Sequence, residues 1–322
     1  MKHKKVLERV YNPGRLRMAW QQVRKNAGAA GIDKMTVEVF ERREDELLKL
    51  IHDKLKAGIY RFKPARRVLI PKEGSNKKRK LGIPVVMDRI VSQSMNLVLE
   101  GIFDPVFTTS NFGFRRGKSQ YRAIKHVQSI VLEGYEWGAS IDLKSFFDEI
   151  PHGLILKLIR RKIADEGLVT LIARALKAGV IVEGKLEKTT KGCPQGSPVS
   201  PMLSNIVLNE LDQELDRRGH RYCRWADDFL ILVKSERAAK RVMDGIVKYL
   251  EGELNLPVNK EKSEVSEIKR VPFLGFQILR GKVRVSNKAR LKFKDKIREL
   301  TRRNNQLSMH QVIQDLNKYL QG

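Results

Sequence analysis

Cysteine is almost missing: Cys193 and Cys223 are the only two in 322 residues. Two thiols so far apart frame neither a disulfide scaffold nor a zinc site, and they read as reduced groups of a cytoplasmic protein. Long apolar runs are missing too. No stretch approaches the roughly 18 residues that a spanning helix needs. The start, Met1-Lys2-His3-Lys4-Lys5, leads into mixed charge and not into the apolar segment of a secretory signal. There is no internal repeat, low-complexity tract or long linker. Acidic residues are scarce against basic ones, 37 to 64, which leaves a net charge of +27. Such an excess speaks of partners and not of fold. A nucleic acid fits it best, because each neutralised phosphate releases counterions and adds affinity. A membrane surface fits less well, since the charge is spread along the chain and not gathered on one amphipathic helix.

What is present has a mixed order. Residues 15–26 and 36–56 read as helices, the second with Val37, Phe40, Leu47, Leu48 and Ile51 at helical spacing. Between them lies a Gly-rich turn, Ala27-Gly28-Ala29-Ala30-Gly31. Arg66 to Pro71 and Arg79 to Pro84 read as two strands around Glu73-Gly74-Ser75-Asn76, a strongly basic hairpin. Residues 88–103 read as an apolar helix. Gly138 to Leu143, Arg221 to Trp225 and Phe229 to Val233 are strand candidates, separated by helices near 152–177, 200–218 and 236–254. This order predicts an α+β fold, with an antiparallel sheet covered by helices. The last 36 residues carry nine Lys or Arg against three Asp or Glu, and two short apolar stripes that bury little alone.

Three aspartates stand out against this background. Asp142 ends the apolar run Ala139-Ser140-Ile141, and Asp227-Asp228 sits between two aliphatic and aromatic strands. A carboxylate on such a strand points into a core or a cleft. Two unit charges about 4 Å apart repel by ~1 kcal/mol in water and ~4 kcal/mol at an effective dielectric near 20. A divalent cation reverses that sign. Hard oxygen donors with few other partners suit magnesium, which keeps waters and bridges to phosphates. An Asp-Asp pair alone is most often a solvated turn; the third aspartate and the motifs around it shift the balance.

Those motifs are Ile141-Asp142-Leu143-Lys144-Ser145-Phe146-Phe147-Asp148, Gly192-Cys193-Pro194-Gln195-Gly196-Ser197-Pro198, Arg224-Trp225-Ala226-Asp227-Asp228, Asn259-Lys260-Glu261-Lys262-Ser263 and Phe273-Leu274-Gly275-Phe276. In this order they resemble the motifs of reverse transcriptases. The stretch Asn26 to Thr36, the hairpin from Tyr60 to Pro84, Asn111-Phe112-Gly113-Phe114-Arg115 and Leu300-Thr301-Arg302 resemble the bacterial group II intron type, whose members double as maturases. Trp225 departs from the usual Tyr, and Ser197 stands where Gly is common.

The resemblance implies a right-hand polymerase. Residues 1–135 would be an N-terminal extension and fingers, with 160–200 partly at the fingers–palm junction. Residues 136–286 would be the palm and 287–322 the start of a truncated helical thumb. It implies a primer 3′-hydroxyl attacking the α-phosphate of a deoxynucleoside triphosphate on an RNA template, with two magnesium ions or manganese in their place. Asp142, Asp227 and Asp228 would be catalytic metal ligands, joined by the Leu143 carbonyl. Lys262 would protonate leaving pyrophosphate. Lys72, Arg79, Phe147, Gln195 and Gly196 would line the nucleotide site, Phe147 by excluding a 2′-hydroxyl. Arg115, Arg116 and Trp225 would meet template or primer. Partners would be the RNA template, a DNA or RNA primer and a group II intron RNA, in a bacterial cytoplasm. A pure RNA-binding maturase and an RNA-dependent RNA polymerase are the rival readings.

Overall fold

Helical spacing becomes structure at once. α1 (Val6–Tyr11), α2 (Pro13–Asn26), α3 (Val37–Glu41) and α4 (Glu44–Lys56) each bury an apolar stripe and leave charge outside. Asn12 caps α2 by accepting from the Arg15 amide, and Pro13 takes the first helical position, where an N–H has no partner to lose. Trp20 and Phe40 anchor this end, with ring centroids 4.5 Å apart. The computed structural model describes residues 2–71, 78–302, 304 and 307–321. The one helix expected over 36–56 is two. Thr36 caps α3 through the Val39 amide, and the backbone leaves helical geometry at Arg43. That bend lets Phe40 and Leu47 reach the same core.

β1 (Ala65–Pro71) and β2 (Lys78–Ile83) form the expected basic hairpin, paired from Arg66 opposite Ile83 to Pro71 opposite Lys78. α5 (Val86–Phe103) follows and is buried on most sides. α6 (Gln120–Leu132), capped by Ser119, was absent from the sequence reading. β3 (Trp137–Ile141) runs into the single turn α7 (Phe146–Glu149). α8 (His152–Lys162) and α9 (Glu166–Leu176) replace the one helix expected over 152–177. Asp165 divides them: its carboxylate accepts from the Leu168 amide, capping α9, and from the Leu7 amide of α1. The short β4 (Val180–Val182) and β5 (Lys185–Glu187) then extend the hairpin into a sheet ordered β2-β1-β4-β5.

α10 (Ser200–Arg217), β6 (Arg221–Trp225), β7 (Asp228–Val233), α11 (Glu236–Gly252) and β8 (Glu264–Glu267) complete the central layer. Its sheet is ordered β6-β7-β3-β8 and is antiparallel throughout. Strand alternation gives β7 two cores. Phe229, Ile231 and Val233 enter the larger one with Val242, Ile246 and Leu250 of α11. Leu230 and Leu232 enter a second with Ala123, Ile124 and Val127 of α6. Helices therefore cover both faces, and the sheet's strand ends are what remain open. Cys193 and Cys223 are buried free thiols.

β9 (Phe276–Leu279) and β10 (Lys282–Val285) form a separate ribbon. α12 (Asn287–Leu300) and α13 (Met309–Gln321) end the chain, and neither buries a residue among those described. Phe293 stacks on Tyr319 with centroids 5.8 Å apart. Among the described residues no helix is long and apolar enough to cross a membrane.

Candidate active site

Register brings the aspartates to one strand end. β3 pairs antiparallel with β7, with Ile141 opposite Phe229. The pairing ends there, so Asp142 leaves β3 and Asp228 opens β7 at the same edge, near enough for the charge of Asp142 to act on both Asp227 and Asp228. The sequence had placed the strand through Leu143, whereas β3 ends at Ile141. Leu143 instead forms an isolated bridge with Val258: Asn259 donates to the Asp142 carbonyl and Lys144 to that of Pro257. These bonds take the groups flanking Leu143, and its own carbonyl faces the opposite way. The Asp142 amide donates to Ser263 Oγ at 3.0 Å, and Ser263 donates to the Asn259 carbonyl at 2.9 Å. The Asn259–Ser263 loop thus fixes where Asp142 sits.

Asp227 occupies the two-residue turn between β6 and β7, where Trp225 pairs with Asp228. Ala226 takes a positive φ of 57° there, a cost that a surrounding structure has to meet. Burial pushes the Asp227 carboxyl above its ordinary range and Asp142 adds to the push, while Arg79 and Arg224 pull it back. Asp228 is the more open, yet loss of hydration against the apolar strands, then the charges of Asp227 and Asp142, push it up to about 6. The three carboxylates therefore repel one another across a shared space. Among the described residues no three such groups close into a ready-made cage. Magnesium does not need one, because it retains waters and takes substrate phosphates as ligands. Hard oxygen donors in excess, with their own repulsion to relieve, fit that ion.

The sign of the pH effect follows. Asp228 keeps its proton up to about 6 in the fold against 3.8 ordinarily. Between those values the folded chain binds more protons than the unfolded one, so stability falls as pH rises through the window. Asp228→Asn is expected to raise the Tm of metal-free protein more at about pH 8 than at about pH 5. Thermal scans at both values check it; an equal gain would show that the carboxyl is not strained by its neighbours.

The remaining expected residues divide. The Cys193 amide donates to the Phe147 carbonyl at 2.7 Å, and Gly192 to that of Ile150 at 2.7 Å. This lays the Pro194–Ser197 loop along α7. The Gly82 amide in turn donates to the Gln195 carbonyl at 2.8 Å. A Cβ on Gly196, whose φ is +107°, would meet the Gly82 carbonyl at 2.1 Å, so only glycine lets the hairpin base approach. Phe147, Gln195, Gly196 and the base of β2 are thereby gathered together. Arg79 is exposed on β2, and its charge reaches Asp227. Phe147 is half-buried, edge-on to the buried Phe146. Lys262 Nζ lies 3.8 Å from Asp142 Oδ2 and is largely exposed. Trp225 is half-buried against the α6 core. Arg116 is exposed, 3.6 Å from Glu100. Lys72 lies outside the described residues.

Arg115 is a correction. Its guanidinium turns inward, with Nε 2.6 Å from Asp104 Oδ1 and Nη1 donating to the Thr108 and Asn111 carbonyls at 2.7 and 3.0 Å. Its donors hold the loop before α6 and are not free for template phosphate. Sequence reasoning also missed Arg224, Asn205 and Asp212, three fully buried polar residues behind the turn. The available signal was polar groups placed among apolar ones on α10 and β6.

A carboxylate-bearing turn at the end of a helix-covered antiparallel sheet, beside a basic hairpin, defines a polymerase of the right-hand class. The family model described as reverse transcriptase (RNA-dependent DNA polymerase) matches residues 70–278, and the chain belongs to that family. Within it the chain is of the bacterial group II intron type: a maturase-specific domain of group II introns matches residues 290–322. Protein YkfC of Escherichia coli K12 is 33% identical over 299 residues, covering 81% of this chain and 78% of that protein. The group II intron-encoded protein LtrA of Lactococcus lactis subsp. cremoris is 29% identical over 351 residues, covering 88% of this chain. This chain spans 57% of LtrA. Telomerase from Candida tropicalis shares the fold, with a TM-score of 0.56 at 14% identity over 78% of this chain and 49% of that one.

Proposed function

We propose that the chain extends a primer along an RNA template with deoxynucleoside triphosphates, and that it serves a group II intron in splicing and mobility. The observation that supports this most is the register that sets Asp142 beside the Asp227–Asp228 turn, with three carboxylates repelling across one opening. Asp142, Asp227 and Asp228, with the Leu143 carbonyl, would hold two magnesium ions, or manganese. When bound, these ions supply charge neutralisation at the attacking and leaving oxygens of an in-line transfer.

The protein's own part is to place reactants. Arg79, with Lys72, grips the triphosphate; an arginine can do so bidentately. Gln195 and Gly196 lie against the nascent base pair, and Phe147 bars a 2′-hydroxyl. Lys262 stands ready to donate a proton to pyrophosphate. Arg116 and Trp225 serve template and primer. Residues 1–135 act as N-terminal extension and fingers, 136–286 as palm, and 287–322 as the opening of a thumb. The net charge of +27 suits backbone contacts to a duplex that is read by base pairing.

Primer extension on an RNA template tests this. DNA product with magnesium and deoxynucleotides is expected; a preference for ribonucleotides would overturn the assignment of substrate. Phe147→Val is expected to admit ribonucleotides, lowering discrimination by roughly 10-fold or more in kcat/KM. Unchanged discrimination would remove Phe147 from the gate. An RNA-binding splicing cofactor with an idle site is not favoured, because such a role gives no reason for three carboxylates to be held together against their mutual repulsion.

A further inference from the structure

The turn that carries Asp227 is held from behind by a buried ionic clamp. Arg224 has no exposed surface, nor do Asp212 and Asn205. Its Nε donates to Asp212 Oδ1 at 2.7 Å and its Nη2 to Asp212 Oδ2 at 2.5 Å. Its Nη1 donates twice at 2.9 Å, to Asn205 Oδ1 and to the carbonyl of Ala226. Four donor contacts of a rigid planar group are thus spent, and one of them lands on the turn itself. Asn205 then donates through Nδ2 to the Gly113 carbonyl at 2.9 Å. Gly113 lies directly against the turn, for a Cβ there would meet the Ala226 nitrogen at 2.1 Å. A strand-like segment completes the frame: Phe112 donates to the Arg224 carbonyl and Arg224 to that of Ser110, each at 2.9 Å.

Two alternatives for this cluster differ in what they predict. A buried ion pair contributes little net stability, because desolvation offsets attraction, and apolar replacements of similar volume often serve as well. Stability alone is therefore a poor reason to place a guanidinium here. The position of its fourth contact supplies a better one. Ala226 holds a positive φ, and its own carbonyl, immediately before Asp227, is fixed by Arg224. We propose that Arg224, oriented by Asp212 and Asn205, is the positioning residue that fixes the Asp227 turn for metal binding. This rests on the reading that Asp227 holds a metal ion.

The test replaces the clamp without leaving an orphaned charge. Arg224→Met combined with Asp212→Leu is compared with the parent in primer extension. Magnesium titration, primer–template affinity and thermal scans accompany it. The double variant is expected to fold, with kcat lower by ~10-fold or more. Its half-saturating magnesium concentration is expected to rise while primer–template Kd stays unchanged. A folded double variant with parental kcat and magnesium requirement would overturn the proposal, leaving the cluster as packing. Should the double variant not fold, Asn205→Ala decides. It removes one acceptor from the guanidinium and the tie to Gly113, and a smaller loss of the same pattern is expected; parental kinetics would overturn the proposal. Asp227→Ala runs alongside as a control. Full activity there would sink the metal-site reading, and this proposal with it. Inactive Asp227→Ala beside a fully active double variant would sink this proposal alone.

Discussion

Asp227→Ala is expected to remove primer extension almost entirely. The carboxylate sits on the turn between β6 and β7, with Asp142 and Asp228 as its charged neighbours. No other acidic residue of that turn can replace it, since Asp228 already belongs to β7, paired with Trp225. Losing a ligand to ions that neutralise the transfer costs ~4 kcal/mol of transition-state stabilisation, roughly a thousandfold in rate. Stability moves the other way. Burial and Asp142 both disfavour the charged form of Asp227, so deleting it relieves strain in metal-free protein. The expected pair of results is a collapse in single-turnover extension and a Tm that holds or rises. This pair separates a functional carboxylate from a structural one, whose loss would lower both. Extension at the parental rate would end the assignment.

Gly113→Ala is the second large effect, and it comes from a residue that touches no substrate. A Cβ at this position would meet the Ala226 nitrogen at 2.1 Å and the Trp225 carbonyl carbon at 2.9 Å. Both atoms are backbone, so no side chain can swing away. Either the Asn111–Phe114 segment or the Asp227 turn has to move. The segment is tied by the Asn205 bond to the Gly113 carbonyl and by two bonds to Arg224. The turn is tied as well, by the Arg224 bond to the Ala226 carbonyl, so the added volume strains both and shifts the contact they share. Overpacking of this kind costs ~1–3 kcal/mol of stability. A displacement near 1 Å at a catalytic group costs on the order of 100-fold in rate. Extension by Gly113→Ala is expected to fall about that far with primer–template affinity retained, as measured by steady-state kinetics beside a binding titration. Parental kcat in a folded variant would show that the turn tolerates the push.

These expectations differ in how visible they were beforehand. Three strands of the central sheet, β3, β6 and β7, were legible, β7 because it is an apolar run that enters two cores, and such a run has few other uses; the charged edge strand β8 was not. The basic hairpin was legible from its two strand-like runs, whose pairing is seen; the expected turn Glu73-Gly74-Ser75-Asn76 lies outside the described residues. The breaks at Arg43 and Asp165 were not, because a cap or bend inside a periodic stretch leaves the period intact. Asp165 illustrates why: its carboxylate ends one interruption by binding Leu7, 158 residues away. α6 escaped notice because its partners are split among β6, β9 and β10, and its amphipathic stripe is short. Arg115 was misread for a related reason. A basic residue in a basic protein looks like a phosphate ligand until a carboxylate such as Asp104 is found within 2.6 Å.

The order of residues alone determined a surplus of positive charge suited to polyanions, that the aspartates lie on or between apolar strands, and which motifs surround them. Those are properties of charge and of local period, and both are additive along a chain. Tertiary structure alone decided which edge each aspartate faces, how close the glycines bring neighbouring backbones, that Arg224 meets the turn, and that Arg115 turns inward to Asp104. Such matters depend on which distant segments share a desolvated space, and no local pattern encodes that.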